Sequence, residues 1–171
     1  GKSVSSIGSS AFYDCSNLER VIFEESSKLE SISDSAFANC TSLTSITIPK
    51  SVTSISDSAF RNCIDLERVI FEENSKLESI GASAFYDCSS LTNVTIPNSV
   101  TSIGGSAFYD CSSLDVVYYG GTATEWWAIS DIYNTVLTGA THYYYVEKES
   151  DLPTDSGNYW HYVNGVPTIW D

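Results

Sequence analysis

The sequence predicts a solenoid of short stacked coils. Each coil gives one strand to a parallel β-sheet, short helical or irregular segments lie opposite, and a mixed α/β cap closes the C-terminal end. The predicting feature is a period in the 171-residue chain: its five cysteines are spaced by 25, 23, 25 and 23 residues, with a phenylalanine three residues before each and a leucine three residues after each. Such a period is typical of coils that bury their apolar sides only by stacking.

The spacing alternates because a long and a short repeat together form a unit of 48 residues. Residues 16–63 and 64–111 are identical at 33 of 48 positions. The long form reads LERVIFEESSKLESI from Leu18 and LERVIFEENSKLESI from Leu66, and the short form reads LTSITIPKSVTSI from Leu43 and LTNVTIPNSVTSI from Leu91. The two extra residues of the long form follow its apolar stretch and predict a wider turn there.

Each coil is predicted to contain a strand after its leucine, because apolar residues such as Ile46 and Ile48 then stand two apart. Pro49 and Pro97 end the strands of the short repeats, since proline cannot donate to a β-ladder. Consecutive strands are expected to be neighbours, with the cysteines stacked and buried. The predicted strands are Leu18–Phe23, Leu43–Ile48, Leu66–Phe71, Leu91–Ile96 and Leu114–Tyr119.

The rest of each coil is predicted to return the chain to the sheet. A second short extended or turn-like segment directs residues such as Val52 and Ile55 inward. The following Ser-Ala-Phe-x-x-Cys is predicted to form one helical turn, capped by its serine. Its alanine, phenylalanine and cysteine then face the core.

The pattern CxxLxxIxIPxSVTSIGxxAFxxC, repeated over about residues 4–119, resembles the BspA-like leucine-rich repeats, also called the Treponema pallidum type. The resemblance implies a leucine-rich-repeat, right-handed solenoid. It also implies a secreted or surface protein, because the family consists mostly of secreted or surface proteins of bacteria. Its members are implicated in adhesion to host matrix proteins or other cells. The long repeats depart from the pattern, with Phe-Glu where the family often has Ile-Pro, which changes the exposed surface.

Residues 120–171 break the period and are predicted to form an aromatic-rich cap. They contain all four tryptophans but no cysteine or phenylalanine. A threonine-capped helix is predicted from Thr122, a strand at Thr141–Val146 and a turn-rich connector at Asp151–Gly157. Residues 158–163 and 166–170 are predicted to pair as a hairpin, because Asn164-Gly165 suits a two-residue turn. A lid of this kind would cover the apolar end of the last coil.

The predicted division is therefore five leucine-rich repeats in residues 1–119 and the cap in residues 120–171. The chain starts in the middle of a repeat, with neither an initiator methionine nor a signal peptide. We therefore expect it to be a fragment or processed product of a longer protein.

Charge and motifs exclude several classes of function. A net charge of −14 repels phosphate, so the chain is not expected to bind nucleic acid or an anionic membrane surface. No apolar run approaches the ~20 residues that a membrane-spanning helix needs. We find no nucleophile, metal or phosphate-loop motif, and we therefore predict a non-enzymatic protein with no catalytic residue, no cofactor and no metal.

The remaining chemically active side chains have structural explanations. Five regularly spaced cysteines are predicted to be buried free thiols rather than disulfides or metal ligands. His142 and His161 have no patterned partner and are expected to be structural. The acidic pairs at residues 24–25 and 72–73 lack the ligand spacing of a calcium loop and are expected to be solvated turns.

Outward-facing strand positions carry the binding hypothesis. In a leucine-rich repeat these positions form the concave sheet, and here they include apolar and cationic groups on an acidic protein. Arginine and aromatic residues are enriched at protein interfaces. The alternative is that the isoleucines are present because isoleucine favours the strand conformation, and that the arginines pair with nearby glutamates. The predicted protein-binding residues are Arg20, Ile22, Arg68, Ile70 and Tyr118.

The functional prediction is an extracellular or cell-surface adhesion protein that binds a protein ligand, such as host matrix or another cell surface. One alternative is a structural spacer within a longer surface protein. Another is a carbohydrate-binding module in which aromatic rings of the tail stack on sugars, although these rings fit the core of a cap better. An exposed aromatic row would favour sugar binding, and buried rings would favour a cap. The rings concerned are Trp126, Trp127, Tyr143, Tyr145, Trp160 and Tyr162.

Overall fold

The computed structural model describes residues 3–129, 137, 139–153, 157–163 and 166–170. In it the repeats form a solenoid with parallel strands, and each of the three inner coils contributes two of them. The long strands are β3 (Ser45–Ile48), β5 (Arg68–Phe71), β7 (Asn93–Ile96) and β9 (Val116–Tyr119). The short strands are β1 (Ser6–Ile7), β2 (Ser31–Ile32), β4 (Ser54–Ile55), β6 (Ser79–Ile80) and β8 (Ser102–Ile103).

The long strands stack in sequence order, and each lies within its predicted span. β3 pairs with β5 and β7 with β9, always in parallel, while β5 and β7 pack side by side. The predicted second extended segment is the two-residue strand, and these strands form their own five-stranded parallel sheet. Two strands per coil therefore connect the stack on two sides.

The prediction of a full strand at Leu18–Phe23 is wrong. Only one parallel bridge forms there, between Arg20 and Ser45. In this structure the first coil has a neighbouring coil on one side only, so its backbone has half of the ladder partners that an inner strand has.

The predicted helical turn at Ser-Ala-Phe-x-x-Cys is also wrong, because the segment is a series of tight turns. Ser35 and Asn39 have φ values of 54° and 62°, which a right-handed helix does not allow. The Phe37 amide donates to the Ala59 carbonyl of the next coil at 2.8 Å, whereas the Cys40 amide donates to Phe37 within its own turn. Amides alternate between partners in the next coil and partners in the same turn, so this segment also joins neighbouring coils.

The core consists of columns that run through the stack. The phenylalanine rings stack with centroids 5.0–5.2 Å apart, from Phe12 to Phe108. All five cysteines are free as predicted, and four are buried. The prediction that Cys15 is buried as well is wrong, because the first coil has a neighbouring coil on one side only and Cys15 is half-buried there. The thiols of the later four each donate to a phenylalanine carbonyl, at 3.1–3.3 Å. Burial raises the pKa of the Cys63 thiol to about 12, so it is protonated at neutral pH.

The C-terminal segment, residues 120–171, continues the sheet of long strands. Helix α1 (Ala123–Ile129) begins with a capping box in which the Thr122 amide donates to the Glu125 carboxylate at 2.8 Å. β10 (Thr141–Tyr145) lies parallel between β9 and β11 (Tyr159–Val163), and β12 (Val166–Ile169) is antiparallel to β11. A 3₁₀ turn spans residues 149–151. The predicted Asn164-Gly165 turn and the middle of the 151–157 connector lie outside the described residues.

Two tryptophans anchor this segment to the last coil. Trp126 is fully buried, with its ring centroid 5.4 Å from that of Tyr119. The Trp160 indole donates to the Tyr119 carbonyl at 2.8 Å, and its side chain is 1% exposed. His142 packs on Trp126, and His161 stacks on Trp170. No helix in the described ranges is both long and apolar enough to cross a membrane.

Candidate binding groove on the sheet of long strands

Strand geometry decides which side chains of the long strands are available to a partner. In β5, Arg68 and Ile70 are exposed, whereas Val69 and Phe71 are buried. This alternation follows from the two-residue period of a strand. We call the outward side of the long strands and of β10–β12 the strand face. Ile70 is 47% exposed there, a large value for an isoleucine within a strand.

The structure brings together three of the five predicted site residues. Arg68, Ile70 and Tyr118 line one groove with a cavity volume of about 340 Å³. We call it the hairpin groove, because the strands β11 and β12 supply its opposite wall. Besides the three predicted residues, the lining includes Asn93 and Thr95 on the coils and Tyr162, Val166 and Pro167 on the hairpin.

The other two predicted residues lie away from this groove. Arg20 is opposite Ser45, which is in turn opposite Arg68, so the two arginines stand two strands apart. Ile22 is 77% exposed and lines a different recess, of about 450 Å³, at the N-terminal end of the stack. That recess also contains Phe12, the exposed end of the phenylalanine column.

Aromatic rings form the side of the groove nearest the C-terminus. Tyr118 lies opposite Tyr143 in the β9–β10 register, and their ring centroids are 5.6 Å apart. Burial first, and then the neighbouring Tyr143, raise the pKa of the Tyr118 hydroxyl, so Tyr118 is neutral at physiological pH. Trp160 packs against Tyr118 at 5.5 Å and holds Tyr162 at 4.9 Å. The groove thus joins an arginine, an exposed isoleucine and supported aromatic rings.

Sequence reasoning missed the wall made by Val166 and Pro167. Val166 is 60% exposed, and Pro167 is opposite Tyr162 in the antiparallel β11–β12 ladder. The hairpin itself was predictable, but its position was not, because pairing of β11 beside β10 is a long-range contact. The tyrosines two apart at 143 and 145 were the available signal, since they repeat the spacing of the outward coil residues.

The six aromatic residues considered for sugar stacking do not form one exposed row. Trp126 and Trp160 are buried, and Tyr143 and Tyr145 are half-buried. Trp127 is 61% exposed but lies on α1 beside His142, which projects from the side of β10 opposite to Tyr143. Tyr162 is 37% exposed on the hairpin, so the two exposed rings lie on different elements, while Trp126 and Trp160 fill the junction between the coils and the C-terminal segment.

Residues 1–125 match the family described as the BspA type leucine rich repeat region, in six copies. No curated protein matches the sequence. Among solved structures, the pneumococcal vaccine antigen PcpA is similar with a TM-score of 0.66 and 35% identity, covering 69% of this chain and 29% of PcpA. The T. pallidum leucine rich repeat protein TpLRR gives a TM-score of 0.63 and 37% identity, covering 67% of this chain and 52% of TpLRR.

A leucine-rich repeat protein from Bacteroides ovatus is also similar, with a TM-score of 0.51, 32% identity and coverage of 70% of this chain and 36% of that protein. The chain therefore spans between 29% and 52% of the length of these three structures. The family match extends over most of the chain, and the similar structures share its solenoid. The chain belongs to the BspA-type leucine-rich repeat family.

Proposed function

We propose that this chain is a non-enzymatic protein of the cell surface or extracellular space that binds a protein partner through its strand face, centred on the hairpin groove. The partner class is host matrix or the surface of another cell. The observation that carries the proposal is the exposure of Ile70 beside Tyr118, Tyr162 and Val166, because it creates an apolar depression on a chain of net charge −14. Family membership supports protein binding as the type of activity.

The composition of the groove suits a protein interface. Arg68 and the rings of Tyr118 and Tyr162 are the residue types that dominate interface energetics. Small polar residues, Asn93 and Thr95, separate Ile70 from Tyr118 and leave space for side chains of a partner. Arg20 and Ile22 extend the same face by two coils and would contact a partner longer than the groove.

The test compares two isoleucines that occupy the same position in the two long repeats. Ile70→Ser and Ile22→Ser make the same chemical change, but only Ile70 lies in the hairpin groove. Binding of each variant to a panel of purified host matrix proteins and to intact host cells is measured by surface plasmon resonance and cell adhesion. We expect Ile70→Ser to weaken binding by about 1 kcal/mol or more and Ile22→Ser to weaken it less.

A thermal melt of both variants serves as the control for folding, since neither side chain is part of the core. Equal loss of binding in the two variants would place the centre of the binding site between Ile22 and Ile70 and not in the hairpin groove. Unchanged binding in both would move the site off the strand face. Absence of binding to the whole panel, together with retained folding, would favour the spacer function.

A further inference from the structure

A second recess adjoins the hairpin groove and has a different chemical character. It has a cavity volume of about 200 Å³ and lies between the turn at Glu72–Ser75 and the aromatic rings of the C-terminal segment. We call it the turn recess. Its charged lining residues are Glu72 and Glu73, and its rings are those of Phe71, Tyr145, Trp160 and Tyr162. Phe71, Thr95 and Tyr162 line both cavities, so the recess continues directly from the groove.

Three of these rings stand at steep angles to one another. Tyr145 and Trp160 have centroids 5.2 Å apart and planes at 69°, and Trp160 and Tyr162 are 4.9 Å apart at 74°. Tyr145 and Tyr162 are 6.1 Å apart at 51°. A cation is attracted to a ring within ~6 Å of its centroid. Tyr145 is half-buried and Tyr162 is 37% exposed, so these two rings are the ones that a positively charged group in the recess can contact, whereas Trp160 is 1% exposed and packs against both.

The carboxylates add negative charge at the rim. Glu72 and Glu73 are both exposed, and the Glu72 carboxylate accepts the backbone N–H of Lys50 at 3.0 Å. Glu73 is close enough to the tyrosines to act on them electrostatically. Burial and Tyr145 raise the pKa of the Tyr162 hydroxyl, and the charge of Glu73 raises it further. The recess thus combines negative charge with aromatic rings and has space for several methylene groups, since a water molecule needs only ~10–15 Å³.

The first long repeat contains the same turn without the rings. Residues 24–27 read Glu-Glu-Ser-Ser where residues 72–75 read Glu-Glu-Asn-Ser. Ser26 and Asn74 have nearly the same left-handed backbone, with φ values of 61° and 59°. The recess near the first turn is lined by Glu24 and phenylalanines, and no tyrosine or tryptophan belongs to its lining. Among the residues that the structure describes, only those of the second turn share a recess with the aromatic hairpin.

We propose that the turn recess binds the ammonium or guanidinium group of a basic side chain carried by the protein partner. The assignment rests on the proposed function, because the partner that occupies the hairpin groove would present this side chain to the adjoining recess. The net charge of −14 favours a basic partner and would mainly raise its association rate. A lysine or arginine next to an apolar residue is then the feature that the two cavities would recognise together.

The experiment is an NMR titration of the whole chain with the blocked tripeptide acetyl-Gly-Lys-Gly-amide, and with the same peptide carrying a neutral acetyl-lysine. We expect the lysine peptide to shift the Trp160 indole signal and the backbone amide signals of the 72–75 turn, and the neutral peptide to leave them unchanged. Glu73→Gln and Tyr162→Leu should each weaken the lysine peptide about 2- to 5-fold, as expected for loss of ~0.5–1 kcal/mol. Tyr162→Phe, which keeps the ring, should retain binding.

Glu25→Gln is the matched control, because Glu25 is the counterpart of Glu73 in the turn without rings, and it should leave binding unchanged. Equal shifts with the neutral peptide, no shift with either peptide, or an unaffected Glu73→Gln variant would overturn the proposal. Shifts with tetramethylammonium but not with the lysine peptide would overturn it in favour of a small ammonium ligand. The titration uses no protein partner, so a negative result would not affect the test of the groove with Ile70→Ser. Conversely, a negative result for Ile70→Ser would not prevent measurement of cation binding in the turn recess.

Discussion

Removing residues 120–171 should leave a repeat fragment that does not fold on its own. In the whole chain these residues cover the last coil, where Tyr119 is 2% exposed under Trp126 and Trp160. Truncation after Tyr119 deletes both tryptophans and exposes the edge of β9, which pairs with β10. The exposed edge and apolar surface then favour association between fragments.

The expected loss of unfolding free energy follows from the burial of the two tryptophans. Each ring removes roughly 150–250 Å² from water. At ~25 cal/mol per Å² this corresponds to ~4–6 kcal/mol each, which is an upper estimate because unfolded chains already bury part of this surface. Measured losses for truncating a buried tryptophan are ~3–5 kcal/mol. The two together approach ~6–10 kcal/mol, and the whole stability of a domain is only ~5–15 kcal/mol.

The assay is urea unfolding followed by far-ultraviolet circular dichroism, with size-exclusion chromatography for aggregation. Circular dichroism is needed because all four tryptophans lie in the deleted part and the fragment has no tryptophan fluorescence. Trp160→Ala in the whole chain is the milder companion change and should lower the free energy of unfolding by ~3–5 kcal/mol. A soluble 1–119 fragment with a cooperative transition would refute the reasoning and favour a separate binding module after residue 119.

Three further predictions concern single residues. The four buried thiols should react with Ellman's reagent only after denaturation, whereas half-buried Cys15 should react faster in the native protein; equal rates for all five would contradict the stacked core. Thr122→Ala should lower the free energy of unfolding by about 1 kcal/mol, measured by urea titration, because it removes the hydroxyl of the α1 capping box; an unchanged midpoint would show that the box adds nothing. Burial lowers the pKa of His142 below its usual 6.5, so the unfolded chain binds a proton more readily than the folded chain does. The thermal midpoint should therefore fall as the pH drops from 7 towards 5.5. His142→Phe should make this pH dependence weaker, and an unaltered dependence would assign it to other titratable groups.

The core columns and strand positions were predictable because every repeat has apolar residues at the same positions, and these residues must be buried between neighbouring coils. Phe60 and Cys63 occupy positions that recur in each coil, and such a recurrence has one simple solution, in which equivalent residues stack. Burial of both, with the Cys63 thiol donating to the Phe37 carbonyl, confirms that part of the prediction. The error at Leu18–Phe23 arose because strand formation depends on neighbours, which a local pattern does not show.

The turn conformation was not predictable from helical signals. Ser-Ala-Phe begins like a capped helix, yet Ser58 adopts a φ of 55° and directs alternate amides to the next coil. The preference of the stack for hydrogen bonds between coils prevails over the local helical preference. The hairpin groove was also not predictable from local sequence. It forms only because β11 pairs with β10, and the spacing of residues within the repeats does not indicate that contact.

The internal duplication makes location, and not local sequence, decide which copy can bind. Ile22 and Ile70 occur in nearly identical segments, as do Glu25 and Glu73. Ile22 and Glu25 belong to the copy at the end of the stack. Ile70 and Glu73 belong to the copy beneath the C-terminal hairpin, where Tyr162 borders both the groove and the turn recess. The same residues therefore acquire an aromatic wall only in the second copy. Substitutions made in both copies therefore separate the contribution of the surroundings from that of the side chain.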